Sequence, residues 1–197
     1  MNIDTEHLHY WMCAIRDSSD SKRTLDAFWG GQIRSKEWLI DNLSKHISLP
    51  STVDIHGGWV GVLASMLFQS TIPITTIRSI DIDPWCESVS NMMNRQEEID
   101  GRFRAVTANM TDIKSSAHVI INTSCEHITQ DEHDLWLSGL PHDSLICMQS
   151  NNYDIPEHVR ISACLADFEI QSGLSNIIWS GELILPLYTR YMIIGEQ

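Results

Sequence analysis

The run Thr52-Val53-Asp54-Ile55-His56-Gly57-Gly58-Trp59-Val60-Gly61 decides how this chain is read. Residues 52–55, rich in β-branched and apolar side chains, predict a strand. Gly57-Gly58 predicts a tight turn, and residues 60–69 a helix behind it. A strand, glycine turn and helix in that order bring backbone N–H groups and an open approach to one point at the strand's carboxyl end. The glycine pair alone is a weak signal, so its meaning depends on the residues downstream of it.

Beyond the turn the pattern repeats, with short apolar runs alternating with helix-length amphipathic stretches, as in a sheet covered by helices on both faces. Strands are predicted at residues 76–82, 103–107, 117–122 and 144–149, and helices at 84–98, 131–138 and 156–168. Pro84 suits the first position of its helix. The run 117–122, apolar but for His118 and the closing Asn122, reads as a central strand buried on both faces. Two last strands, 176–185 and 188–195, are separated by only a Pro186 turn. That is too short for a crossover helix, so they are expected to pair antiparallel. The fold class is therefore α/β, a mostly parallel sheet ending in an antiparallel hairpin.

Upstream, residues 1–48 read as helical, with Leu8, Trp11, Met12 and Ile15 and then Trp38, Leu39 and Leu43 near the helical period. The linker Asp17-Ser18-Ser19-Asp20-Ser21 separates two pieces, and Gly30-Gly31 is expected to break the second before Ser35-Lys36-Glu37-Trp38 restarts it. With 197 residues the chain accommodates one α/β domain, 49–197, and this N-terminal helical segment as a cap or lid. A net charge of -13 speaks against a nucleic-acid partner, because Lys22-Arg23 and Arg102-Phe103-Arg104 are too short for a basic stripe. Five cysteines without a CxxC pair, and no charged-then-apolar leader over residues 1–20, point to a reducing, cytoplasmic setting. No run approaches the roughly 20 apolar residues of a membrane span. A small-molecule partner fits best.

The second chemical clue is Ser79-Ile80-Asp81-Ile82-Asp83-Pro84, in which an acidic residue ends the second strand. A short carboxylate there can accept hydrogen bonds from ribose hydroxyls, as in nucleoside-binding α/β folds. Asp81 is the candidate, and Asp83 is expected to cap the helix that Pro84 opens. Glu126 and His127, in Asn122-Thr123-Ser124-Cys125-Glu126-His127, come after the fourth strand and are candidate proton acceptors. The nine histidines allow a metal hypothesis, Glu126-His127 with His133, His142 or Glu157-His158 among the combinations. No HExxH or Cys/His spacing selects one, and no metal is expected. Cys125 has no positioned base beyond its neighbours to make it a nucleophile. Gln149-Ser150-Asn151-Asn152-Tyr153 after the fifth strand offers donors and acceptors for a polar substrate.

In these features, over residues 50–195, the chain resembles the class I S-adenosylmethionine-dependent methyltransferases, with their Rossmann-like sheet. The glycine turn, Ile80-Asp81-Ile82-Asp83-Pro84, the Glu126-His127 segment, the Leu140-Pro141 turn and the terminal hairpin occur in that family's order. The resemblance implies S-adenosylmethionine as co-substrate. Asp54, His56, Gly57, Gly58 and Trp59 would then surround its methionine part, Asp81 would hold the ribose and Ile82 pack on the adenine. Asn109 and Met110 would lie at the adenine edge, with Asn122 and Thr123 beside the sulfonium. Two departures stand out. His56 and Val60 occupy the first and third glycine places of the family's loop, and Pro141-His142-Asp143-Ser144 lacks the glycine usual before strand five.

The resemblance implies methyl transfer to a small polar molecule. The altered loop keeps open other uses of the sulfonium, namely aminocarboxypropyl transfer, cyclisation or cleavage. A binding module without turnover is the third reading.

Overall fold

The computed structural model describes residues 5–197 of the chain. Residues 1–4, the start of the expected N-terminal helical segment, lie outside them. Seven strands form one sheet: β1 Ser51–His56, β2 Ile74–Asp81, β3 Phe103–Thr107, β4 Val119–Asn122, β5 Leu145–Asn151, β6 Asn176–Ile184 and β7 Thr189–Glu196. Their order is β3-β2-β1-β4-β5-β7-β6. The first five are parallel, and β7 runs antiparallel to both β5 and β6. The predicted α/β class and terminal hairpin are therefore observed, and the sheet is Rossmann-like.

The sheet reverses between β1 and β4, so their carboxyl ends open a crevice, the ordinary ligand position in such sheets. Alternation along the strands produces two cores. Val53, Ile55, Ile77, Val119, Ile121, Met192 and Ile194 pack under the helices on one face. Ile120, Ile146, Met148 and Ile193 pack with Trp136 and Phe168 on the other.

The helices are α1 Thr5–Asp17, α2 Ser21–Asp26, α3 Gly30–Leu43, α4 Val62–Phe68, α5 Pro84–Met93, α6 Arg95–Ile99, α7 Gln130–Ser138 and α8 Leu165–Ser172. Three differ from the pattern reading. Gly30-Gly31 does not interrupt a helix but opens α3. The predicted helix 84–98 is split at Asn94, whose side-chain amide donates to the carbonyls of Gly61 and Ser90.

The third difference matters most for the crevice. The helix predicted over 156–168 is displaced to Leu165–Ser172, and residues 156–164 are irregular. Val159 and Arg160 N–H both donate to the Glu126 carbonyl, at 2.9 and 3.1 Å, and Ser162 N–H to that of Asn151 at 3.0 Å. Those donors close a loop over the end of β4 instead of closing helical turns.

The N-terminal helices are part of the packed body. Trp11, buried on α1, donates through its indole N–H to Ser65 Oγ on α4 at 2.9 Å. Trp38 of α3 meets Trp179 of β6 edge to face, with ring centroids 5.8 Å apart.

Candidate functional site

The turn after β1 owes its shape to two glycines. Gly57 has φ +66, and a side chain there would lie 2.6 Å from Ser124 Oγ. Gly58 has no room either, because a Cβ would overlap Ser79 Oγ on β2. The turn lies directly against the ends of β2 and β4, and Gly58 N–H donates to the Ile80 carbonyl at 3.0 Å. Trp59 takes φ +48, which costs a non-glycine residue about 1 kcal/mol. Its N–H is held by Asp81 Oδ2 at 2.8 Å.

Asp81 also accepts the Asp83 N–H through Oδ1 at 3.0 Å. The carboxylate is oriented by two backbone donors, and each oxygen keeps accepting capacity. Asp83 caps α5 as expected, accepting from Trp85 N–H at 3.0 Å. Ile82, next to Asp81, is 69% exposed, an apolar surface with no protein cover. Across the crevice, Asn122 at the end of β4 donates to Met110 Sδ at 3.6 Å and accepts from Ser124 N–H at 2.9 Å. Asn109 turns its side chain back to Thr111 N–H. The structure thus gathers Gly57, Gly58, Trp59, Asp81, Met110 and Asn122 around the carboxyl ends of β1, β2 and β4.

Two of the expected residues are engaged inside the protein. Asp54 is buried, its carboxylate paired with the Arg78 guanidinium at 2.5 and 3.0 Å and with Ser115 Oγ at 2.6 Å. His56 is fully buried, and its Nδ1 accepts from the Trp136 indole N–H at 2.7 Å. Nε2 therefore carries the proton, and it has no partner among the described residues. Burial pushes the imidazole pKa down to about 4, so the ring is neutral.

A 3-10 turn, Cys125–His127, comes after β4. Glu126, 2% exposed, accepts through Oε1 from Asn151 Nδ2 at 2.6 Å and from Arg190 Nη1 at 2.8 Å. Arg190 also donates to the Thr123 carbonyl at 2.6 Å and to Gln149 Oε1 at 3.3 Å. The polar run after β5 and the start of β7 are thereby joined to the end of β4. Lys36 of α3 lies near, its pKa pushed down to about 7 by burial and then by the Arg190 charge. His127 is exposed and makes its Nδ1 contact with the Glu157 carbonyl at 3.0 Å. Cys125 is fully buried and burial pushes its thiol up to about 12, an inert state.

Arg190, Arg160 and Ser124 carry much of this arrangement, and the sequence pattern does not single them out. Arg160 clamps the 3-10 turn through two donations to the Cys125 carbonyl, at 3.1 and 3.3 Å. A lone Arg in a terminal strand carries no local signal of a partner so distant in sequence.

The Rossmann-like fold is the one found in solved S-adenosylmethionine-dependent methyltransferases. The N-methyltransferase NodS from Bradyrhizobium japonicum, crystallised with S-adenosyl-L-homocysteine, superposes with a TM-score of 0.69 at 8% identity, over 95% of this chain and 98% of that one. Magnesium protoporphyrin IX methyltransferase from Synechocystis, also with bound S-adenosyl-L-homocysteine, gives 0.65 at 14% identity over 83% and 82%. Geranyl diphosphate C-methyltransferase from Streptomyces coelicolor, solved with Mg2+, geranyl diphosphate and S-adenosyl-L-homocysteine, gives 0.64 at 13% identity over 90% and 84%. No protein-family model and no curated protein sequence matches the chain. No helix among the described residues is long and apolar enough to cross a membrane.

Proposed function

We propose that this chain is an S-adenosylmethionine-dependent methyltransferase acting on a small polar molecule in the cytoplasm. The observation that carries the reading is Asp81, a carboxylate oriented by two backbone N–H groups at the crevice mouth, with spare lone pairs beside the glycine turn. The donor set fits the cofactor. Asp81 would take the ribose hydroxyls, exposed Ile82 the adenine face, and Asn109 and Met110 its edge. Gly57, Gly58 and Trp59 would face the methionine arm, with Asn122 and Thr123 beside the sulfonium. Asp54 and His56 would act from beneath, Asp54 by holding β2 through Arg78 and His56 by bracing the turn against Trp136.

Bound there, the cofactor supplies an activated methyl group on a sulfonium. The protein's tasks are to place the acceptor in line, exclude water and take up a proton where the acceptor carries one. Glu126 and His127 are the proton-accepting groups on that side, and the polar run 149–153 with Lys36 would orient the acceptor. The helices of residues 1–48 would cap the crevice, with Trp29, 72% exposed, as the residue free to close on a ligand.

Calorimetry with S-adenosylmethionine tests the reading. Binding in the micromolar range is expected, and Asp81→Ala should weaken it roughly 10- to 100-fold, the worth of hydrogen bonds to a charged group. No binding at millimolar ligand would refute both enzymatic readings and leave a binding module of other specificity. The altered glycine loop, with His56 at the first glycine place, keeps one alternative open, a different use of the sulfonium. Product analysis separates the two: methyl transfer leaves S-adenosylhomocysteine, whereas aminocarboxypropyl transfer leaves methylthioadenosine.

A further inference from the structure

The loop over the end of β4 brings together three groups that cofactor binding does not require. One donor atom from each of Glu126, His127 and His158 lies within 4.8 Å of the other two. The imidazole rings of His127 and His158 stand edge to face, centroids 4.8 Å apart.

Each group is prepared for a further ligand. Glu126 Oε1 is fully occupied by Asn151 and Arg190, whereas Oε2 is buried without a hydrogen-bond partner among the described residues. A buried carboxylate oxygen in that state bears a desolvation penalty that nothing in the protein offsets. The two histidines have defined tautomers. His127 Nδ1 contacts the Glu157 carbonyl at 3.0 Å and His158 Nδ1 the Tyr153 carbonyl at 2.6 Å. A carbonyl only accepts, so each Nδ1 bears the proton and each Nε2 keeps its lone pair. Donation from the remote ring nitrogen to a carbonyl is how metal-bound histidines are oriented and made more basic.

The backbone fixes the set. Val159 and Arg160 N–H, immediately after His158, bond to the carbonyl of Glu126 itself. The irregular loop that replaces the expected helix is thus what delivers His158 to the 3-10 turn that carries the other two groups.

We propose that Glu126, His127 and His158 bind one divalent first-row transition ion through one carboxylate oxygen and two imidazole nitrogens, leaving its remaining positions open. Two imidazoles with one carboxylate suit Zn2+, Mn2+, Co2+ or Fe2+, whereas Mg2+ and Ca2+ prefer all-oxygen sets. Ligand bonds of roughly 2.1 Å put tetrahedral donors about 3.4 Å apart. Closure therefore needs up to about 1.4 Å of approach between donors that start within 4.8 Å of one another, which small rotations of an exposed and a half-buried imidazole supply. Arg190 stays on Oε1, so the carboxylate bridges guanidinium and ion. This proposal departs from the sequence reading, in which no metal is expected. With an ion bound, His127 would be held as a ligand in place of the proton-accepting role given to it above, and the ion would supply Lewis acidity beside the acceptor, a consequence that rests on the methyltransferase reading while the binding itself does not.

The test is titration of the chelator-treated full-length protein with ZnCl2, without S-adenosylmethionine, against a competing chromophoric chelator. One equivalent should bind with a micromolar or tighter dissociation constant. His127→Ala and His158→Ala should each weaken it at least about 10-fold, with melting temperatures in the absence of metal as controls for folding. CoCl2 should give visible d–d bands with no sulfur charge-transfer band. That separates the site from Cys13 and His9, whose Sγ and Nε2 lie 3.6 Å apart. Absence of stoichiometric binding, binding unaltered in both histidine variants, or a sulfur band would overturn the proposal. A failed zinc titration beside intact S-adenosylmethionine binding removes the metal site and leaves the proposed function standing.

Discussion

His56 shows how one residue changes what a familiar turn can do. A glycine at this place would leave backbone only, whereas the imidazole fills the space under the turn and receives the indole N–H of Trp136. His133, also fully buried, donates through Nε2 to the Ser172 carbonyl at 3.0 Å. Burial pushes both down to about 4. In the unfolded chain each binds a proton near pH 6.5, so between 6.5 and 4 the unfolded state holds more protons than the folded one. Stability is therefore complete above pH 6.5 and lost as pH falls through 4, by up to about 3 kcal/mol per histidine. Denaturant melts from pH 7 to 4 should show this slope. In His56→Ala the slope should shrink, and stability at pH 7 should fall by about 1–3 kcal/mol because Trp136 loses its acceptor.

Among the elements, the turn after β1 is shaped by what flanks it. Gly58 approaches β2 so closely that a methyl group would overlap Ser79 Oγ. Gly58→Ala should cost about 1–3 kcal/mol, and Ser79→Ala in the same chain should recover part of that loss. Urea unfolding of the four proteins in that cycle measures the coupling; purely additive effects would mean that the turn yields in another direction. The loop 156–164 teaches the complementary lesson. Its pattern is compatible with a helix, but its N–H groups find the Glu126 and Asn151 carbonyls, and Arg160 finds that of Cys125. Periodicity could not reveal those acceptors, since they belong to other elements.

At the scale of the whole molecule, Arg190 and Glu126 form an ion pair, 6% and 3% exposed at the side chain, that joins the last strand to the centre of the sheet. Arg190→Leu leaves Glu126 charged, buried and short of its partner. A loss of about 3–5 kcal/mol is expected, visible as a large drop in melting temperature, with the Arg190→Leu, Glu126→Leu double variant recovering most of it. The succession of strands and helices was legible in the sequence, because short apolar runs, the glycine pair, Asp81 and the Pro186 turn are local signals that survive without tertiary knowledge. So was the gathering of Gly57, Gly58, Trp59, Asp81 and Asn122 at one sheet edge, since all lie at or just past the ends of parallel strands. Sequence alone determined the α/β class, the parallel sheet with its hairpin and the edge at which these residues collect. Those arise from periodicity and turn chemistry, which act over a few residues. Only the tertiary structure decided that Asp54 is spent on Arg78, that His56 is a neutral bolt under the turn, and that His158 stands beside Glu126 and His127. Each depends on a hydrogen-bond partner supplied by another element, and burial leaves the buried groups among them no water to take its place.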